Sequence, residues 1–226
     1  MKYDAAVFDI DGTLLPMSLE RMLIACMLSN KEIPLSRLFR ELLSIAFEKG
    51  GVVKFLRDKF YIEGLEAQRV HEIIDSKCWP EIKNRFFRSM MDIIELFREN
   101  GTPIVLLSGT IDIMAERVRD FINSDYMLSS KLEVVNGVFT GKVVGIYPYR
   151  EGKVAVLREL VEKEGWDWGK IWAFGDSPSD LPLLKAVGHP VAVNPSKRLR
   201  RKAKEMGWPI LDVGPRMWNP FSRKSD

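Results

Sequence analysis

Two aspartates at the end of an apolar run are the first residues in this chain equipped for chemistry. Ala5-Ala6-Val7-Phe8 is followed at once by Asp9-Ile10-Asp11-Gly12-Thr13. The apolar run reads as a short buried strand. Residues i and i+2 of extended chain point to the same side, so Asp9 and Asp11 are expected to converge just past the strand end. Two carboxylates that close repel, and a cation, a shared proton or a reacting phosphate settles the pair. Turn chemistry is the competing explanation, since Asp and Gly are common in turns. The apolar strand and the paired Asp9 weigh against it.

Two further apolar runs end in polar residues of the same character. Pro103 to Leu107 runs into Ser108-Gly109-Thr110, and Ile171 to Phe174 into Gly175-Asp176. Ligands of an open parallel sheet bind at the carboxyl ends of its strands, which would gather Asp9, Asp11, Ser108 and Asp176 at one edge. Carboxylates, a hydroxyl and helix N-termini in one crevice suit a metal and an anion. Asp9 with Asp176 supplies the oxygen-rich donors that Mg²⁺ takes in phosphate chemistry. Ser108 and the Gly109 backbone can hold phosphate oxygens. In Asp176-Ser177-Pro178-Ser179-Asp180, Ser177 reads as a helix cap and Pro178 as a first helical residue. Asp180 either closes that capping box or orients the metal shell, accepting from Lys153. Lys153 follows Gly152 at a helix start, where the helix dipole disfavours a cation unless an anion is bound there. A solvated surface lysine is the plainer alternative.

The elements that must position these residues fall into two kinds. From Pro16 to Arg88 the periodicity is helical throughout: Met17–Leu28, Leu35–Phe47, Val52–Phe60, Leu65–Lys77 and a long Glu81–Glu99, with a break expected at Trp79-Pro80. From Asn100 onward short apolar strands alternate with helices at Asp112–Ile122, Glu151–Glu164, Pro178–Val187 and Ser196–Met206. Tyr126–Leu128 is a short strand, and Asn136-Gly137 turns a hairpin between Leu132–Val135 and Val138–Val144. Val191–Val193 and Pro209–Leu211 close the set. The fold class predicted is α/β, a doubly wound parallel sheet with an inserted helical domain. Residues 1–15 and 89–214 form the core, 16–88 the insert and 215–226 a tail that reads as loose, with Trp218 and Phe221 able to dock on the body. Pro16 and Arg88–Met91 are the hinge regions.

Together these residues resemble the haloacid dehalogenase superfamily of aspartate-nucleophile phosphohydrolases. Asp9 to Thr13 match its first motif, Ser108 its second, Lys153 its third, and Gly175-Asp176 with Asp180 its fourth, in the family's order. The insert resembles the helical cap of the phosphoserine-phosphatase-like branch, as do Asn136 to Lys142 and Val193-Asn194-Pro195. The resemblance implies that Asp9 attacks phosphorus and that Asp11 serves the leaving alcohol as acid and then the attacking water as base. It implies Mg²⁺ on Asp9, the Asp11 carbonyl and Asp176, and phosphoryl oxygens on Ser108, Gly109 and Lys153. Substrate selection departs from that branch. Ser18 stands where phosphoserine phosphatases carry a Glu, Glu20 lies two residues on, Arg57 and Arg40 are the cap arginines available, and Ser179 replaces an Asn.

Composition bounds the rest. With 226 residues, 46% hydrophobic, 29% charged and a net charge of +3, the chain is globular and carries no overall charge that would call for nucleic acid. The basic run Lys197 to Lys202 reads as the solvated face of an amphipathic helix. No apolar run reaches the ~18 residues of a membrane span. A small phosphorylated substrate, no nucleic acid, no stable membrane insertion and a cytoplasmic location are expected; the oligomeric state is left open. Cys26 and Cys78 could pair, but their spacing suggests neither a metal site nor a disulfide framework, and the reading as small buried residues is favoured. Passing the phosphoryl group to an alcohol, or binding phosphate without turnover, are the competing functions.

Overall fold

The structure is a computed structural model, which describes residues 2–36 and 57–214. A seven-stranded sheet runs through it in the order β4-β3-β2-β1-β5-β6-β7. The strands are β1 (Ala5–Phe8), β2 (Ile104–Ile111), β3 (Tyr126–Val135), β4 (Val138–Val144), β5 (Ile171–Gly175), β6 (His189–Val193) and β7 (Ile210–Leu211). Every pairing is parallel except β3 with β4, the hairpin turned at Asn136-Gly137. Both turn residues have positive φ, 50° and 79°, which this tight turn demands and Asn-Gly supplies. The strand order reverses at β1, so its end lies at the crevice of the sheet.

The period of two along each strand divides the core into two layers. Ala6 and Phe8 of β1 join Leu106, Phe174 and Val191 on one face. Ala5 and Val7 join Leu107, Ala173 and Ala192 on the other. The helices are α1 (Leu19–Ser29), α2 (Ala67–Ile73), α3 (Trp79–Ile82), α4 (Arg88–Glu99), α5 (Asp112–Ile122), α6 (Glu151–Glu164), α7 (Leu181–Ala186) and α8 (Lys197–Glu205). Residues of the first five join the cluster that contains Phe8. The last three pack on the face of Val7, α8 through Leu199 and Ala203, so its basic side chains line the outward face.

Several local expectations give way to tertiary pairing. Tyr126–Leu128 and Leu132–Val135 are one continuous strand. Strand β2 extends through Ser108 to Ile111, with an irregularity in its register to β3 between Leu107 and Ile111. The break expected at Trp79-Pro80 is absent: α2 continues through a widened π turn, Ile74–Cys78, into α3. The wide turn makes room for a ring that clashes in a regular helix. The long Glu81–Glu99 helix is instead interrupted at 83–87. There Phe86 and Phe87 are both buried, and the Phe87 N–H donates to the Leu14 carbonyl at 2.9 Å. The Leu35–Phe47 helix beyond Ser36, most of Val52–Phe60 and the tail 215–226 with Trp218 and Phe221 lie outside the described residues, and Phe60–Ile62 is a 3₁₀ turn.

Cys26 and Cys78 are disulfide-bonded, the pairing that their spacing left open but did not favour. Packing of α1 on the π turn brings their Cα atoms to 5.9 Å, a proximity that sequence spacing cannot express. The bond closes a separation of 52 residues. Its removal in Cys26→Ser/Cys78→Ser is expected to cost about 4 kcal/mol. That corresponds to a Tm fall of roughly 8–16 °C by calorimetry in a chain of this size; an unchanged Tm would remove the bond's structural role.

Candidate active site

The carboxyl edge of the central strands gathers the polar residues singled out above. Strand β1 ends at Phe8, and the Asp9 N–H still donates to the Phe174 carbonyl of β5 at 3.0 Å. By the alternation of β1, Asp9 falls on the side of Val7, where α6 packs. Lys153, in the first turn of α6, meets it there: its Nζ donates to Asp9 Oδ1 at 2.6 Å and to Asp180 Oδ1 at 2.5 Å. All three side chains are buried. The solvated lysine is therefore set aside; this one is an interior cation between two carboxylates.

Asp180 sits just before α7 and accepts from the Ser177 N–H and hydroxyl through Oδ2, at 3.0 and 2.9 Å. One carboxylate thus shapes the 176–180 turn and holds Lys153. Helix α7 starts at Leu181, later than Pro178, because Ser177 to Asp180 form this turn. One oxygen each of Asp9, Asp176 and Asp180 lie within 4.8 Å of one another. An all-oxygen set with two or three carboxylates fits a hard divalent cation. The unfavourable electrostatics of the metal-free cluster support that fit. Burial pushes Asp9 up to about 8, with Lys153 opposing and Asp180 adding to the rise. Burial and then Asp180 push Asp176 up to about 7.

Asp11 departs from the expected convergence. Its carboxylate leaves the acidic cluster and is held from two directions. Oδ1 accepts from the Leu19 N–H at 3.0 Å and Oδ2 from the Thr110 hydroxyl at 3.0 Å. Burial nevertheless raises its pKa, against the opposing hydrogen bonds from Leu19, Thr110 and Ser18. Two aspartates two residues apart are in this way wired separately, one to a lysine and one to neutral donors. Ser108 is buried and bonds to Thr110 through its hydroxyl at 3.3 Å, so a hydroxyl chain runs from Ser108 through Thr110 to Asp11.

Gly12 makes the close approach possible. Its φ is +85°, and a Cβ there would stand 2.3 Å from Asp176 Oδ2. Gly12→Ala is expected to displace Asp176 and weaken Mg²⁺ affinity by roughly 10–100-fold, measured by calorimetric titration at pH 7.5. Unchanged affinity would show that Asp176 takes no part in holding the ion.

Of the selectivity residues, Ser18 and Glu20 lie at this edge. Ser18 caps α1, accepting from the Arg21 N–H, and reaches Asp11. Glu20 is ion-paired to the buried Lys59 at 2.9 Å. Arg57 is directed elsewhere, donating to the carbonyls of Val143 and Gly145 at the end of β4. Arg40 lies outside the described residues.

Three residues here were not singled out as site residues in the sequence: Thr110, Lys59 and Tyr147. The Thr110 hydroxyl could have been suspected from Ser-x-Thr past a strand. Tyr147 carries no local signal. Its hydroxyl lies 3.6 Å from where a Gly109 Cβ would be, and the Lys59 ammonium stands 5.9 Å from its ring centre. Burial first, then Glu20, pushes its phenol up to about 12.

Comparison with known proteins bears on this geometry. A protein of Streptomyces azureus named for inhibition of morphological differentiation is 34% identical over 150 residues, covering 66% of this chain and 54% of that one. A phosphoserine phosphatase of Mycobacterium tuberculosis is 32% identical over 141 residues, covering 62% and 43%. The chain spans about half the length of the curated relatives it matches. A substrate-bound phosphoserine phosphatase structure superposes with a TM-score of 0.66 at 19% identity over 93% of each chain, a likeness of fold. The family model for haloacid dehalogenase-like hydrolases matches residues 6–185. That span starts inside β1 and ends inside α7, enclosing Asp9, Asp11, Ser108, Lys153, Asp176 and Asp180, and the chain belongs to the haloacid dehalogenase-like hydrolase family.

Proposed function

We propose that this chain is a Mg²⁺-dependent phosphomonoester hydrolase that works through an aspartyl-phosphate. The observation that carries the reading is the separate wiring of Asp9 and Asp11. A nucleophile must be ionised and an acid protonated at the same pH. Burial raises both carboxyl groups, but only Asp9 has a cation opposing the rise, Lys153, and would gain a second in the metal ion it is proposed to hold, whereas Asp11 has neutral donors alone. Asp9, beside the Lys153 ammonium, is the group suited to attack phosphorus. Asp11, raised by burial and held by Leu19 and Thr110, is suited to protonate the leaving oxygen and then to take a proton from water. Ser108, the Gly109 N–H and Lys153 would bind the phosphoryl oxygens. Asp9, Asp176 and the Asp11 carbonyl would hold Mg²⁺, which when bound supplies positive charge to the phosphoryl group. Asp180 fixes Lys153 and faces the same cluster.

The substrate in this reading is a small phosphorylated metabolite with charged groups on its alcohol. Glu20 and Lys59 place opposite charges near Asp11 and Tyr147, which suits phosphoserine or a related ester better than a neutral alcohol. Residues 16–88 act as the cap over this region, and the setting is cytoplasmic. Among the described residues no helix is long and apolar enough to cross a membrane.

The test is hydrolysis of p-nitrophenyl phosphate with Mg²⁺ and with EDTA, then of a panel of phosphoserine, glycerol phosphates and lysophosphatidic acid. Metal-dependent turnover with phosphoserine preferred supports the full reading, and Glu20→Gln should then raise KM for phosphoserine but not for p-nitrophenyl phosphate. Preference for another ester corrects the substrate alone. Phosphate binding without turnover of any ester would overturn the hydrolase reading.

A further inference from the structure

Strand β2 does not keep step with β3. Leu107 lies level with Leu128 and Ile111 with Ser130, so β2 advances four residues where β3 advances two. The surplus falls on Ser108-Gly109-Thr110, which bow out of the ladder as residues of a β-bulge do. Ser108 and Thr110 stay buried, while Gly109 is half-buried. A bulge takes backbone groups away from their ladder partners, and in the interior each needs a replacement.

The peptide between Gly109 and Thr110 is held by a side chain at each end. The Ser130 hydroxyl donates to the Gly109 carbonyl at 2.6 Å. The Thr110 N–H points the opposite way across a trans peptide, and it donates to Ser108 Oγ at 3.3 Å. The Ser108 hydroxyl in turn bonds to Thr110 Oγ1 at 3.3 Å, and the Thr110 hydroxyl donates to Asp11 Oδ2 at 3.0 Å. One clamped peptide thus stands behind Ser108, Gly109 and Asp11. Ser130 has no exposed surface, so it reaches a bound anion only through Gly109.

We propose that Ser130 is a positioning residue for the phosphoryl group. Its bond to the Gly109 carbonyl fixes the 109–110 peptide, and through that peptide the Ser108 hydroxyl and the Gly109 N–H. The assignment rests on Ser108 and Gly109 binding the phosphoryl oxygens, as proposed above. It makes the anion, and not the metal, the ligand that feels the loss of Ser130, because Asp9 and Asp176 follow β1 and β5 and share no bond with this peptide.

The test is Ser130→Ala in the full chain, titrated calorimetrically with Mg²⁺ alone and with inorganic phosphate in saturating Mg²⁺, beside p-nitrophenyl phosphate kinetics. The phosphate Kd and the KM are expected to rise together by roughly 10-fold or more, the scale on which a misplaced binding group is felt. Mg²⁺ affinity should be unchanged and kcat should fall less than KM rises. Ser130→Cys keeps the volume but offers only a weak donor; it should show a smaller rise, and it carries the test if the alanine variant does not fold. Asp125→Ala controls for simple loosening of β2. Its carboxylate accepts from the Ile104 N–H at 2.7 Å, at the far end of that strand, and its loss should lower Tm but leave phosphate affinity alone. Wild-type phosphate affinity in both Ser130 variants would overturn the proposal. So would an equal loss in Asp125→Ala, or a loss of Mg²⁺ affinity as large as that of phosphate. A wild type that neither binds phosphate nor turns over the ester would instead sink the hydrolase reading, and this assignment with it.

Discussion

Asp9→Asn is expected to lower kcat/KM for p-nitrophenyl phosphate by at least about 10⁴-fold while leaving the fold intact. The amide keeps the volume of the carboxylate and can still accept from Lys153, which also retains Asp180. What it lacks is the anionic oxygen proposed above to attack phosphorus. Circular dichroism and Tm separate a chemical loss from a folding loss. Asp11→Asn provides the contrast. An acid matters most for a poor leaving group, so its loss should cost phosphoserine roughly 10²–10⁴-fold and p-nitrophenyl phosphate, whose leaving group needs little protonation, much less. Equal losses on both substrates would remove Asp11 from the acid role. Substantial turnover by Asp9→Asn would remove Asp9 from the nucleophile role.

Lys153→Met has the second large expected effect, and it depends on pH. The substitution leaves Asp9 and Asp180 buried without their cation. Breaking such a pair costs about 3–5 kcal/mol, or roughly 6–20 °C in Tm. The sign follows from the carboxyl groups. Asp9 and Asp176 are raised from 3.8 to about 8 and about 7. The folded state therefore holds protons that the unfolded state has lost above pH 3.8. Their favourable contribution is complete below that pH and disappears as pH rises through the folded values. Lys153 is itself raised above 10.5, burial opposing and Asp180 and Asp9 favouring the charged form. Its support of the wild type persists up to pH 10.5 and is lost only above it. The variant lacks that support at every pH below 10.5, but with Asp9 protonated at pH 4 little buried charge is left unpaired there, so its deficit should be smallest at pH 4 and grow up to pH 8. Mg²⁺ should restore part of the loss at pH 8 and little at pH 5, where protons compete for the same oxygens. A pH-independent deficit would show that lost packing, not unpaired charge, is responsible.

What was legible in the sequence was whatever the chain states locally. The apolar run before Asp9 gives β1 to the residue, Asn136-Gly137 gives the hairpin, and the stripes of α5 and α6 give those helices within a residue of their ends. The placement of Asp9, Ser108 and Asp176 at one edge follows from the rule for open sheets, whereas Lys153 was suggested by its helix start and by the family resemblance. What escaped is set by partners distant in sequence. The helix break at Phe86-Phe87 depends on the carbonyl of Leu14, and the disulfide on how α1 meets a π turn. Tyr147 stands in a loop whose only announcement is aromatic. Asp11 swings away from Asp9 because Leu19 and Thr110 offer it donors, which alternation along a strand cannot foresee.

The segment between α1 and α3 is bound to the edge of β4 as well as to its own flanking chain. Backbone bonds join Lys59 to Gly141, Gly64 and Leu65 to Phe139, and Ala67 to Gly137. Leu14 and Phe87, beside the expected hinge regions at Pro16 and Arg88–Met91, are bonded to each other through the backbone. A body on a single pivot swings freely, whereas one also stitched along a hairpin must carry that hairpin with it. Any displacement of residues 57–87 would carry the β3–β4 ribbon with it, a ribbon whose pairing is irregular between Leu132 and Val134. That ribbon is tied in turn to the site, because the Ser130 hydroxyl of β3 donates to the Gly109 carbonyl at 2.6 Å.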